Sequence, residues 1–147
     1  MNVGAAPACF PGVGAAPQPG WLGEEALVSK RVLVVDDDPD LVLGLRVRLE
    51  AMGYEMHGAS NAQVAMAAVG SYQPDVIILD LGLPGEDGLA FLSRLRRADD
   101  ERSQIPVIVL TAGDEASRAP ALAAGAQVFF QKPVESWELV DAITAVG

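Results

Sequence analysis

Four apolar runs of strand length each stop at a residue that can do chemistry. Val32–Val35 stops on Asp36 and Asp37, and Val76–Leu79 stops on Asp80. Val107–Leu110 stops on Thr111, and Val128–Phe130 leads through Gln131 to Lys132. Between these runs the apolar period lengthens from continuous to helical. Asp38-Pro39 supplies an N-cap and a proline at the first helical position. Leu41, Leu45, Leu49 and Met52 then recur at helical spacing until Gly53 closes the helix. The same reading predicts a second strand at Tyr54–Ala59 and an alanine-rich helix at Asn61–Val69. A third strand covers Val76–Leu79. Leu81–Gly88 is a loop rich in glycine, and a helix follows at Leu89–Arg97. The fourth strand is expected at Ile105–Leu110. Glu115–Ala124 is a poor helix that contains Pro120, so it should be short or kinked. The fifth strand is Ala126–Phe130, and the last helix is Glu135–Val146. Met52, Met56 and Met66 read as core filling.

Five strand–helix units in sequence imply an α/β fold: a doubly wound, five-stranded parallel sheet with helices on both faces. The first and third strands are the most uniformly apolar, as central strands are. The strand order 2-1-3-4-5, the flavodoxin-like arrangement, sets them side by side in a single domain. In a parallel sheet the C-terminal strand ends share one edge. Asp36, Asp37, Asp80, Thr111 and Lys132 would then meet in one cleft.

Composition narrows the classes without changing this picture. Residues 1–29 hold four of the ten prolines among Gly and Ala, with no charge before Glu24. They read as a flexible Ala/Gly/Pro-rich tail in which Trp21, Leu22 and Leu27 could dock, and residues 30–147 as the folded domain. The net charge of −10 argues against a general nucleic-acid binder. Cys9 is the sole cysteine and forms no internal disulfide. No apolar run approaches a membrane span, and no secretory signal opens the chain, so a cytoplasmic setting is expected.

Carboxylates this close together repel one another. A hard cation that takes oxygen ligands resolves the repulsion. The only other lysine, Lys30, precedes the first strand, so Lys132 has no substitute in the cleft. Other polar residues read as structural. Asp38 is a helix cap, Asp87 a turn residue or cap, and Arg94, Arg96 and Arg97 a solvated helix face. His57, on an edge strand, is not expected to be catalytic.

The ordered set V-V-D-D, L-D-L-G-L-P-G-E-D-G, L-T-A, A-G-A and K-P, over residues 31–146, resembles the receiver domain of two-component response regulators. The resemblance implies a phosphorylation switch. Asp80 would accept the phosphoryl group, while Asp36 and Asp37 would hold Mg²⁺, Asp37 directly and Asp36 mainly through water. The Gly82 carbonyl would be a further metal ligand. Thr111 would bond a phosphoryl oxygen and Lys132 would pair with its charge. Thr111 and Phe129 would form the switch pair. The implied donor is a sensor histidine kinase or a histidine phosphotransfer protein. The implied output is a protein target on the face of helix 4, strand 5 and helix 5. No turnover enzyme is implied, only catalysis of the chain's own phosphorylation and dephosphorylation.

The sequence departs from that pattern in places. Gly82 lacks a side chain where relatives tune phosphoryl lifetime. Phe129 replaces a commoner tyrosine, and Val134 stands where phenylalanine often follows K-P. The stretch from Thr111 to Gly125 is one residue short. The 147 residues hold no basic helix-turn-helix segment, and no output domain is expected after Gly147. Protein contact or relay is therefore expected rather than DNA or membrane binding, although a receiver cut from a longer regulator reads the same. Two alternatives stay open. V-V-D-D-D-P-D also matches the opening of a haloacid-dehalogenase-type phosphatase, with Asp36 as nucleophile and Asp38 as acid. A nucleotide-binding reading lacks any glycine-rich phosphate loop.

Overall fold

The computed structural model describes residues 30–146 apart from Pro84, Glu86, Gly113 and Asp114, and leaves out the Ser136 side chain. The readings of residues 1–29 as a tail, of Pro84 within the loop and of the terminus at Gly147 lie outside the described residues.

Five strands alternate with five helices. They are β1 (Arg31–Val35), α1 (Pro39–Ala51), β2 (Glu55–Ala59), α2 (Ala62–Tyr72), β3 (Val76–Leu79), α3 (Gly88–Arg96), β4 (Val107–Thr111), α4 (Arg118–Ala123), β5 (Val128–Gln131) and α5 (Ser136–Val146). All pairings are parallel and the order is β2-β1-β3-β4-β5. The expected topology is therefore present, with β2 at an edge.

Side chains alternate across the sheet, as the two-residue strand period requires. Leu33, Val35, Ile77, Leu79, Val107, Val109 and Phe129 face α2, α3 and α4. Val32, Val34, Val76, Ile78, Ile108 and Leu110 face α1 and α5. β1, β3 and β4 are buried on both faces, which is why their sequences are continuous apolar runs.

Local chemistry sets the element ends. The Asp38 carboxylate accepts from the Asp40 and Leu41 amides and so caps α1, with Pro39 behind it. Asn61 caps α2 through the Val64 amide. α2 runs three residues past its expected end, to Tyr72, where Gln73 turns into a left-handed conformation at φ 56. α4 is six residues long and follows a 3-10 turn at Glu115–Ser117. This shortness agrees with the interruption expected from Pro120. A further 3-10 turn at Glu101–Gln104, capped by Asp100, was not expected and delays β4 to Val107.

Two expectations need correction. Met52 is not core: it is the C-cap of α1 and is 58% exposed. The helix ends one residue earlier, so Met52 no longer follows the face set by Leu45 and Leu49. Arg96 is not on a solvated face, although Arg94 and Arg97 are exposed. Its guanidinium turns toward the segments that precede β4 and β5. It donates to the Gly125 carbonyl at 3.1 and 2.8 Å, to Ser103 at 3.1 Å, to Ile105 at 2.8 Å and to the Gln127 side chain at 3.0 Å. Burial without a carboxylate lowers its pKa from the ordinary arginine value. Met56 is buried and Met66 packs against the core, as expected.

Candidate functional site

β1 and β3 lie side by side, so the residues after them emerge together. Backbone bonds continue the ladder past the strand ends: Asp36 donates to Ala59 at 3.0 Å, and Asp80 donates to Val35 at 2.9 Å. These bonds fix where the two carboxylates leave the sheet. One oxygen from each of Asp36, Asp37 and Asp80 falls within 4.8 Å of the others. Asp36 and Asp80 are buried, whereas Asp37 faces solvent.

The partners of each carboxylate differ. Asp36 is committed at both oxygens: Oδ1 accepts the Asp38 amide at 2.9 Å, and Oδ2 accepts the Lys132 ammonium at 2.9 Å. Asp80 Oδ1 accepts the Gly82 amide at 3.0 Å, while Oδ2 faces the Lys132 ammonium at 3.6 Å. Among the described residues nothing bonds the Asp37 carboxylate. A set of oxygen donors alone suits a hard cation. The open Asp37 suits direct ligation better than the saturated Asp36.

Lys132 arrives from the opposite side of the sheet. β4 and β5 are neighbours, and the Lys132 amide donates to the Thr111 carbonyl at 2.7 Å. That bond sets the two strand ends at one rim. Partial burial alone pulls the Lys132 pKa down. The hydrogen bond to Asp36 and the charges of Asp36, Asp80 and Asp38 outweigh it, and the net shift is upward from the ordinary lysine value. The ammonium therefore stays charged at neutral pH. Thr111 is buried at the same rim.

Two glycines shape the entrance. A Cβ on Gly82 would stand 3.8 Å from Asp80 Oδ1, so position 82 borders the acid directly. A Cβ on Gly88 would meet the Leu81 Cα at 2.6 Å and the Asp80 carbonyl at 2.8 Å. Only glycine lets α3 start this close to the acid strand. Asp87 caps α3 through the Leu89 amide, as expected.

Phe129, three residues before Lys132, is 4% exposed and packs in the core on the α4 side. Arg118 lies over its ring, 4.9 Å from the centroid. Sequence reasoning missed this arginine, because nothing local links a residue at the start of α4 to one on β5. His57 is exposed and stands 5.2 Å from the Tyr72 ring, away from the acid cluster. The structure thus brings together Asp36, Asp37, Asp80 and Lys132, with Thr111 and Gly82 bonded to that set through their backbones.

Among the described residues no helix is long and apolar enough to cross a membrane. Residues 32–144 match the family described as response regulator receiver domain. The phosphate regulon transcriptional regulatory protein PhoB of Pseudomonas aeruginosa is 40% identical over 121 residues, covering 82% of this chain. The chain spans 52% of that regulator's length. The chemotaxis response regulator CheY4 of Vibrio cholerae superposes with a TM-score of 0.75 at 26% identity, covering 82% of this chain and 100% of that one. The signal receiver domain of a signal transduction histidine kinase from Syntrophus aciditrophicus gives 0.73 at 29% identity, covering 80% and 89%. The acid cluster, the strand order and this extent of match agree, and the chain belongs to the response regulator receiver domains of two-component systems.

Proposed function

We propose that the chain accepts a phosphoryl group on Asp80 from a phosphohistidine donor and signals through protein contact. Asp80 Oδ2 is the oxygen left without a close hydrogen bond, and it faces the ammonium that would receive the new charge. The O–P bond to Asp80 forms as the donor's P–N bond breaks, and the imidazole leaves. The observation that carries this reading is the meeting of three acids from two strands with one lysine from a third.

Asp36, Asp37 and Asp80, with the Gly82 carbonyl, would hold Mg²⁺, which when bound supplies neutralising charge for the acids and the incoming phosphoryl group. Lys132 holds its position through Asp36 and has further N–H donors for a phosphoryl oxygen. The Thr111 hydroxyl would bond another. Movement of Thr111 and Phe129 would then alter the face of α4, β5 and α5. The chain would catalyse only its own phosphorylation and dephosphorylation.

The phosphatase alternative is disfavoured by the partners of its two acids. The Asp36 carboxylate is saturated by Lys132 and the Asp38 amide. The Asp38 carboxylate is occupied as the α1 cap. We place the chain in the cytoplasm, with a sensor histidine kinase or histidine phosphotransfer protein as donor. A net charge of −10 suits a protein target better than a phosphate backbone.

The test is labelling with acetyl phosphate and mapping of the labelled residue. Base-labile label on Asp80 is expected with Mg²⁺, lost with EDTA and absent in Asp80→Asn. Label on Asp36, or steady turnover of phosphate esters, would overturn the proposal in favour of the phosphatase.

A further inference from the structure

α4 is held differently at its two ends. At the C-terminal end the Gly125 carbonyl accepts from Arg96 at 3.1 and 2.8 Å, and the same guanidinium holds Ser103 and Ile105. This ties the turn after α4 to α3 and to the segment before β4. At the N-terminal end the capping residue Ser117 makes no side-chain bond to the helix. Arg118 instead reaches over Phe129 and pairs with Glu115 in the preceding turn. The helix between is six residues long and contains Pro120, so it has little stiffness of its own.

Phe129 has no hydroxyl, so no hydrogen bond from its tip can fix the ring in place. Its outer side is covered by the Arg118 guanidinium, which interacts with the ring quadrupole. We propose that Arg118 is a positioning residue of the switch: it clamps Phe129 in its buried place, so the ring and the first turn of α4 move as one unit about a fixed end at Gly125. The reading rests on Asp80 phosphorylation for what drives the movement. Thr111 ends β4 only seven residues before Arg118, so the two members of the switch lie close together in the chain. The clamp itself exists without a phosphoryl group and can be tested alone.

The experiment uses the full chain labelled with 4-fluorophenylalanine, with the Phe129 resonance assigned by Phe129→Leu. Wild type, Arg118→Gln and Arg118→Lys are compared with Mg²⁺, with and without beryllofluoride. In R118Q the Phe129 resonance should move toward that of an exposed ring. The population of the open state should rise about two- to fivefold, the scale of a cation–π contact at a partly exposed site. Amide exchange in residues 118–123 should rise by a similar factor, and that of Gly125 should not. R118K, which keeps the cation, should restore part of both effects. An unmoved resonance in R118Q, no rescue in R118K, or an equal rise at Gly125 would overturn the clamp. If the wild type takes no label on Asp80 while R118Q still frees the ring, the clamp stands and the phosphoryl-acceptor reading falls.

Discussion

Lys132→Met removes the one described cation that touches both buried acids. The side chains of Asp36 and Asp80 are 3% and 9% exposed, and that of Lys132 is 23% exposed. Breaking a buried pair by removing one partner costs about 3–5 kcal/mol, because the remaining charge is left uncompensated. Solvent reaches the ammonium here, so the expected loss is smaller, about 2–4 kcal/mol. For a domain of this size that lowers Tm by roughly 6–15 °C. The Lys132 amide bond to Thr111 is untouched, so the strand ends should stay in place. Thermal unfolding followed by circular dichroism in EDTA measures the gap. Mg²⁺ should narrow it, since a bound cation replaces part of the missing charge. The pH dependence has a definite sign. The folded-state pKa of Lys132 lies above the ordinary value, so its contribution is complete below the unfolded lysine value near ~10.4. It is lost only as pH rises through the higher folded value. The gap between wild type and variant should therefore be flat from pH 7 to 9 and close in strong alkali. Equal Tm values in EDTA, or a gap that closes already by pH 9, would refute the account of how this lysine is held.

Arg96→Met should lower stability by about 2–4 kcal/mol, because it strips a charged donor from three backbone carbonyls at once; urea unfolding reads it. Tyr72→Phe should be neutral or stabilising by up to about 1 kcal/mol, since the buried Tyr72 hydroxyl has no hydrogen-bond partner among the described residues; a fall in Tm of several degrees would contradict this. Amides of α4 should exchange with deuterium faster than those of α1, because α4 has six residues and an internal proline where α1 has thirteen and a capped start. Equal protection of the two helices would count against that difference.

The sheet and the acid cluster were legible because strands buried on both faces must be continuously apolar and must stop where polarity returns. Val35–Asp36 and Leu79–Asp80 mark such stops. Parallel pairing then converts a linear pattern into a shared rim. The cap at Asp38 was equally plain, since its partners lie two and three residues away. What escaped the sequence depends on distant partners. Arg96 looked like one more charge on a helix, yet its acceptors lie up to 31 residues downstream. The contact of Arg118 with Phe129 joins a helix start to another strand. Met52 failed for a smaller reason. Its spacing fits the apolar face, but the helix stops at Ala51 and Gly53 redirects the chain at φ 91.

Gly125 limits how this chain can vary over generations. Its φ of +114 disfavours any L side chain, and a Cβ there would also lie 2.7 Å from Arg96 Nε. Shortening Arg96 removes the second obstacle but not the first, and it orphans the carbonyls that Arg96 serves. No single replacement at either position opens a path for the other. Position 125 should therefore stay glycine whatever residue stands at 96, and a mirror-image D-residue at 125, introduced by chemical ligation, answers the backbone constraint directly.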